Sequence, residues 1–155
     1  MLPGSLYYHF ASKNDLLLAV YEEGVRRIAA NVDRAVAGVT EPWGKLEAAG
    51  TAHLETVLDR SDYAQVIVRV LPQDARDVSG RLVALRDEYE ARFERLVDDL
   101  ALPLRADRRN LRLFLLGALN WAQVWYRPGE EAPADIARRF TGYLRQALDG
   151  GRTGR

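Results

Sequence analysis

Near its beginning the chain carries a short stretch whose side chains suit contacts with a nucleic acid. Residues 4–10 read GSLYYHF, and Lys13 follows closely. On a helix, Leu6 and Phe10 lie on one face and can anchor it inward, which leaves the hydroxyls and the imidazole nearer the surface. Hydroxyl and imidazole groups can bind phosphates, aromatic faces can contact thymine methyl groups, and a lysine adds a charge contact to the backbone.

Two observations limit that interpretation. Tyr7 and Tyr8, considered alone, fit a place in the hydrophobic core as well as a place on a DNA-binding surface. The formal net charge of the chain is zero, which provides no overall attraction to nucleic acid. Any DNA binding must therefore depend on a local surface.

The elements that must position these residues are helices. Hydrophobic residues recur at helical spacing nearly everywhere, and no stretch alternates for long enough to predict a strand, so we expect an all-α fold. Ser12 and Asp15 have the spacing of a capping box and predict a long helix that begins at Lys13 and stops at Gly38. Further helices are expected from Pro42, over residues 62–71, and from about Ser79, Leu111 and Pro133.

Composition argues against several classes of function. A chain of 155 residues is long enough for one compact domain with a core. It has no cysteine and two histidines, which gives no support for disulfides, thiolate catalysis or a zinc site. No activated nucleophile, acid–base carboxylate pair or phosphate loop is recognisable, so we predict no catalytic residue, no metal and no cofactor. Without a basic leader or a membrane-length apolar run, we expect a cytoplasmic protein that does not enter a membrane.

The opening motif resembles that of the tetracycline-repressor (TetR) family of regulators. The matching residues are Gly4, Leu6, Tyr7, His9, Phe10 and Lys13, with the leucine-rich start of the next helix at residues 16–20. The resemblance implies a helical bundle in which residues 1–37 are the remnant of a helix-turn-helix domain and its connecting helix, with the recognition helix at about 4–10. It assigns residues 38–149 to ligand binding and dimerisation. Residues 150–155 are expected to be a disordered tail.

Each polar residue of the opening motif takes a role from this resemblance. Ser5 and Tyr8 would lie nearest the base edges of operator DNA, and Tyr7, His9 and Lys13 would mostly contact phosphates. The resemblance implies a ligand-responsive regulator, expected to be a repressor. Such a protein binds double-stranded operator DNA as a homodimer and is released by a small hydrophobic effector.

The sequence departs from the family pattern at its beginning. Family members place two further helices before the recognition helix, and residues 1–155 contain neither. We therefore expect Met1 to be an internal methionine of a longer repressor, and this chain alone to bind operator DNA poorly. The alternative is a homodimer that binds a small molecule and lacks DNA binding.

A second, weaker resemblance concerns the effector. Residues 116–129 look like the Asn-Trp…Trp-Tyr-x-Pro-Gly region of family members that control fatty-acid or steroid catabolism and sense acyl-CoA thioesters. An acyl-CoA thioester is therefore an expected effector class. An enzyme acting on such a thioester is the least supported alternative, because no catalytic residues are recognisable.

The predicted ligand-binding residues are polar or aromatic side chains on apolar helix faces. A histidine there can contact an effector or be a hydrogen-bonded core residue, and an arginine can bind a ligand carboxylate or form an ordinary ion pair. Aromatic residues can line a pocket or fill the core. The candidates are His53, Arg69, Tyr89, Phe93, Trp121 and Trp125.

The helix expected over residues 111–126 is apolar on almost every face, so one subunit cannot cover it alone. Gly117 permits close approach of another helix, and the last two helices resemble the family's four-helix dimer interface. A monomer with an unusually apolar helix is the alternative. The predicted interface residues are Leu113, Gly117, Asn120, Val124, Phe140, Tyr143 and Leu144.

Overall fold

Helices dominate the part of the chain that the structure, a computed structural model, describes. That part comprises residues 10–59 and 76–150. Its elements are α1 (Lys13–Val36), α2 (Pro42–Val57), a 3₁₀ turn (Arg76–Val78), α3 (Ser79–Asp98), α4 (Arg108–Trp125) and α5 (Pro133–Gly150). No strand occurs among the described residues, and the predicted all-α fold is confirmed. The predictions for residues 4–9, 62–71 and 151–155 lie outside the described ranges.

The start of α1 follows the predicted capping signal. Ser12 Oγ accepts a hydrogen bond from the backbone N–H of Asp15 at 3.1 Å, as an N-cap does. The Asp15 carboxylate accepts from the Ser12 hydroxyl at 2.8 Å, rather than from the cap amide as the capping box predicts. The helix ends at Val36, shortly before Gly38, where the sequence predicted its stop.

Three later helices begin where the sequence predicts, at Pro42, Ser79 and Pro133. A proline is compatible with the first turn because its missing N–H would have no intrahelical acceptor there. Glu41 completes the start of α2 by accepting from the backbone N–H of Gly44 at 2.6 Å. The starts of α2 and α5 thus coincide with a proline, whereas α3 begins without a side-chain cap.

The fourth helix begins earlier than predicted. Asp107 caps it by accepting from the backbone N–H of Asn110 at 2.9 Å, so α4 starts at Arg108 rather than Leu111. The polar residues after the cap show no hydrophobic periodicity, which is why the sequence placed the start too late. At the end of the described chain, α5 continues to Gly150, where the predicted tail begins.

Helix α2 lies at the centre of the bundle and contacts α1, α3, α4 and α5. Its inner face carries the fully buried Leu46 and Leu54. Helix α5 packs directly against Gly50, where a Cβ would lie in ordinary van der Waals contact, 3.5 Å from the Cβ of Ala137. The core therefore forms around α2 and encloses His53.

Candidate functional site

A polar cluster centred on the buried His53 joins three helices. His53 of α2 is only 2% exposed. Its Nδ1 lies 2.7 Å from the hydroxyl oxygen of Tyr89 on α3, and its Nε2 lies 3.1 Å from Oδ1 of Asn120 on α4. His53 faces inward because it continues the three-and-four spacing of Leu46 and Gly50 along α2. The structure thus shows His53 as a hydrogen-bonded core residue.

The hydrogen-bond partners define where the protons of this cluster lie. Asn120 Oδ1 can only accept, so Nε2 of His53 carries the ring proton and Nδ1 accepts from the Tyr89 hydroxyl. Burial lowers the pKa of His53 to about 4, and the hydrogen bond with Asn120 opposes that shift. Burial also raises the pKa of the Tyr89 hydroxyl. The cluster is therefore uncharged near neutral pH.

Three of the predicted ligand-binding residues meet in this cluster. The ring centroids of His53 and Tyr89 are 5.8 Å apart and nearly parallel, and Phe93 presents its ring perpendicular to His53 at 5.9 Å. Asn120 completes the cluster, although the sequence predicted it for the dimer interface. That pairing was missed because the two residues are 67 positions apart and no local pattern relates them. Arg69 lies outside the described residues.

The two tryptophans proposed for ligand binding lie elsewhere. Trp121 is 64% exposed and Trp125 is 41% exposed, both on the outward side of α4. Trp125 packs against Phe140 of α5, with ring centroids 6.3 Å apart. The structure does not bring either tryptophan into the His53 cluster, and their part in ligand binding stays a prediction.

Helices α4 and α5 present an apolar surface outward, here called the α4–α5 face. It consists of Leu113, Phe114, Trp121, Val124, Trp125 and Tyr143. From their exposed fractions and areas of about 150–250 Å² per large side chain, they expose about 700 Å² together. The largest apolar patch on an ordinary monomer is about 300–600 Å². Within residues 10–59 and 76–150, no helix is long and apolar enough to span a membrane.

The predicted interface residues lie on or beside this face. Apart from Gly117, its chain neighbours and the backbone of its own helix, no atom of the described residues lies within 4 Å of where a Cβ of Gly117 would be, which leaves room for a neighbouring helix. The exposed ones are Leu113, Gly117, Asn120, Val124 and Tyr143, and the half-buried ones are Phe140 and Leu144. Their role in dimerisation stays a prediction.

Two surface clefts differ in charge. One, of about 400 Å³, lies between the end of α1 and α3; its walls include Lys45 and Arg95, and an Arg92–Asp33 ion pair at 3.1 Å. The other, of about 510 Å³, lies between the end of α2 and the α4–α5 connection. Its lining residues are Glu55, Leu58, Asp59, Tyr126, Pro128 and Pro133. Both clefts have two carboxylates, but the first also has three basic side chains and the second has none, so the first suits an anionic group better.

Of the predicted DNA-contacting residues, the structure describes one. Lys13 is the first residue of α1 and is exposed, directly after the Ser12 cap. The other four, Ser5, Tyr7, Tyr8 and His9, lie outside the described residues.

Residues 39–148 span α2 to α5, and they match the sequence profile of the tetracyclin repressor-like C-terminal domain family. The chain belongs to the tetracycline-repressor family. No protein of curated function has a significantly similar sequence.

Several solved structures share this fold. AibR in complex with isovaleryl coenzyme A and operator DNA has a TM-score of 0.76 and 21% identity, over 92% of this chain and 80% of that chain. PfmR, a TetR-family transcriptional regulator from Thermus thermophilus, has a TM-score of 0.75 and 21% identity, over 100% and 84%. The superantigen PfiT has a TM-score of 0.75 and 24% identity, over 90% and 77%. The resemblance seen in the opening motif is therefore confirmed for family and fold.

Proposed function

We propose that this chain senses a ligand and dimerises as a ligand-responsive transcriptional repressor. The repressor would bind operator DNA as a homodimer and leave it when a small hydrophobic effector, an acyl-CoA thioester, binds in the helical core. The observation that carries the proposal is the match of residues 39–148 to the repressor family's C-terminal domain.

Homodimerisation is supported by the α4–α5 face. Its area of about 700 Å² approaches the ~800 Å² that each partner buries in a standard stable interface. A two-fold axis would bring α4 and α5 of both copies into a four-helix arrangement that covers the same face on each. Gly117 would allow the helices of the two copies to approach closely, because the space outside it is open.

DNA binding by the opening segment is supported by the position of Lys13. A positive charge at a helix N-terminus is unfavourable by about 0.3–1 kcal/mol, because the helix dipole is positive there. A DNA phosphate would offset this cost, since helix N-termini and lysines both bind phosphate. Ser5, Tyr7, Tyr8 and His9 would complete the DNA-binding surface according to the family resemblance.

Effector binding is proposed beside the aromatic cluster of His53, Tyr89 and Phe93. Both ring nitrogens of His53 already have partners, so an effector that bonds to His53 must displace Tyr89 or Asn120. Displacement of either residue would change contacts between helices and so favour a different arrangement of the bundle. Arg69, Trp121 and Trp125 remain further candidates for contact with the effector.

The acyl-CoA class has two supports. AibR, whose fold this chain shares, was solved with isovaleryl coenzyme A and operator DNA bound. Residues 116–129 also resemble the corresponding region of acyl-CoA-sensing members. Isovaleryl-CoA is therefore the probe for a first test.

The two lysines of the chain, Lys13 and Lys45, allow a matched test of DNA binding. The protein is purified as its own cells make it, with substitutions introduced in the chromosomal gene, and is titrated against a duplex selected from a random library. Lys13→Ala should weaken binding, because one phosphate contact is lost. The slope of log affinity against log salt concentration should become shallower by about one. Lys45→Ala, which alters a cleft away from α1's first turn, should change neither.

The outcomes separate the two candidate functions. Release of the duplex by isovaleryl-CoA would support the repressor. A dimer that binds isovaleryl-CoA but selects no duplex would favour the ligand-binding homodimer without DNA binding. Equal loss of affinity in both lysine variants would contradict a specific role for Lys13.

A further inference from the structure

One polar side chain borders the α4–α5 face at a position where a helix contact would bury it. Asn120 lies one helical turn from Gly117 and from Val124 and is largely exposed. Its carbonyl oxygen is held inward by His53 Nε2. Its side-chain amide, which carries two N–H donors, has no hydrogen-bond partner among the described residues. The outward group at this position is therefore a donor without an acceptor.

We propose that His53 is a positioning residue for Asn120, and that the Asn120 amide donates a hydrogen bond to a second copy of this chain and so fixes the register of the homodimer. The inference rests on the proposed function, because it takes the α4–α5 face as the place where two copies meet. It gives His53 a role distinct from ligand contact.

Apolar contact alone does not define one register. Hydrophobic burial is non-directional, so a face built from Phe114, Trp121 and Val124 tolerates several relative positions of two copies. Burying a donor without an acceptor is unfavourable, so registers that leave the Asn120 amide unpaired are disfavoured. A single asparagine in a helical interface can specify register in this way, at some cost in stability.

The hydrogen bond to His53 sets which end of the Asn120 side chain faces outward. With the Asn120 carbonyl at Nε2, the ring proton lies on Nε2 and Nδ1 accepts from the Tyr89 hydroxyl. The reverse orientation of the amide would require the other tautomer, with Nδ1–H donating to Tyr89. In the structure the carbonyl points inward and the amide outward. An acceptor is available on the same helix, since Gln123 donates its amide to the Asn120 backbone carbonyl at 3.1 Å and leaves its own side-chain carbonyl to the second copy.

A distance measurement between two copies tests this inference. The chain has no cysteine, so Glu94→Cys on the exposed side of α3 provides one spin-label site per copy. Pulsed electron–electron double resonance then gives the distribution of distances between the two labels of a dimer. Wild-type protein should give one narrow distribution, and Asn120→Leu should broaden it about twofold or split it, because the apolar face remains but its polar constraint is lost.

Substitutions of His53 distinguish positioning from packing. His53→Leu should broaden the distribution as Asn120→Leu does, although Asn120 is unchanged. His53→Gln should keep it narrow, because the glutamine amide can donate to Asn120 Oδ1 in place of Nε2. The matched control is Asn31→Leu, which removes a hydrogen bond of 3.2 Å to Thr56 away from the face and should leave the distribution unchanged.

Failure of this inference can be told from failure of the proposed function. A monomer mass for the protein that carries only Glu94→Cys, with no measurable distance between labels, would overturn both the proposed function and this inference. A wild-type dimer whose distribution stays narrow in Asn120→Leu and in His53→Leu would overturn the role of Asn120 alone.

Discussion

The two faces of α4 are both apolar, and they differ in what covers them. Leu115, Leu119 and Ala122 point inward and are buried within the chain, whereas Phe114 and Trp121 point outward and are mostly exposed. A helix that is apolar on all sides needs a partner on each side. An apolar residue of α4 can stabilise the fold of one chain or the association of two, and the sequence pattern alone does not distinguish these free energies. The two faces of the helix do.

The largest expected effect compares two phenylalanines. Phe93 is fully buried, and Phe114 on the α4–α5 face is 69% exposed. Phe93→Ala should lower the free energy of unfolding by about 3–5 kcal/mol, because it removes a buried ring and leaves a cavity. Phe114→Ala should change the stability of the monomer by less than about 0.5 kcal/mol. Urea denaturation, at a protein concentration too low for association, measures the free energy of unfolding of both variants.

Similar losses of unfolding free energy in the two variants would contradict the difference between the two faces of α4. That result would mean that Phe114 is covered within a single chain, and that α4 needs no second copy to bury its outward side.

His53 of α2, which is hydrogen-bonded to Asn120 of α4, makes a pH-dependent contribution to stability. The pKa of His53 is lowered to about 4 by burial, against an ordinary value of 6.5. Between these values the unfolded chain binds a proton that the folded chain does not, so stability rises with pH across the window and is lost on acidification. The loss from about pH 7 to below about pH 4 should be about 3 kcal/mol.

The measurement for His53 is a series of urea denaturations from about pH 7 to about pH 3.5, which covers the window between the two pKa values. His53→Gln is the control, since it keeps a hydrogen-bond donor to Asn120 and cannot titrate. The stability of the wild-type protein should fall relative to the control on acidification. Parallel pH curves for the two proteins would show that His53 is not buried in its neutral form.

Helix starts were predictable where the signal lies within a few residues. Ser12 and Asp15 mark the start of α1, and Pro42 and Pro133 mark those of α2 and α5. The start of α4 was misplaced because Asp107 caps a turn whose first residues carry no hydrophobic pattern. Local chemistry thus gives the elements, and errors occur where a cap precedes a polar turn.

The candidate site was predictable only in part, because its contacts are distant in the sequence. Periodicity placed His53, Tyr89 and Phe93 on inward faces, but it could not show that His53 and Asn120 share a hydrogen bond. The same periodicity could not assign Trp121 to the inward or outward side of a helix that is apolar all round. Tertiary packing decides both questions.

The smallest expected effect concerns association itself. Trp121→Ser should weaken dimerisation about 10- to 100-fold, because a large aromatic side chain in the middle of an interface is a frequent hot spot. Leu104→Ser is the matched control, since Leu104 is an exposed apolar residue in the connection between α3 and α4, outside the α4–α5 face. Sedimentation equilibrium measures both dissociation constants. Equal weakening by the two substitutions would point to non-specific hydrophobic association, whereas an effect of Trp121→Ser alone would place the contact between copies on the outward side of α4.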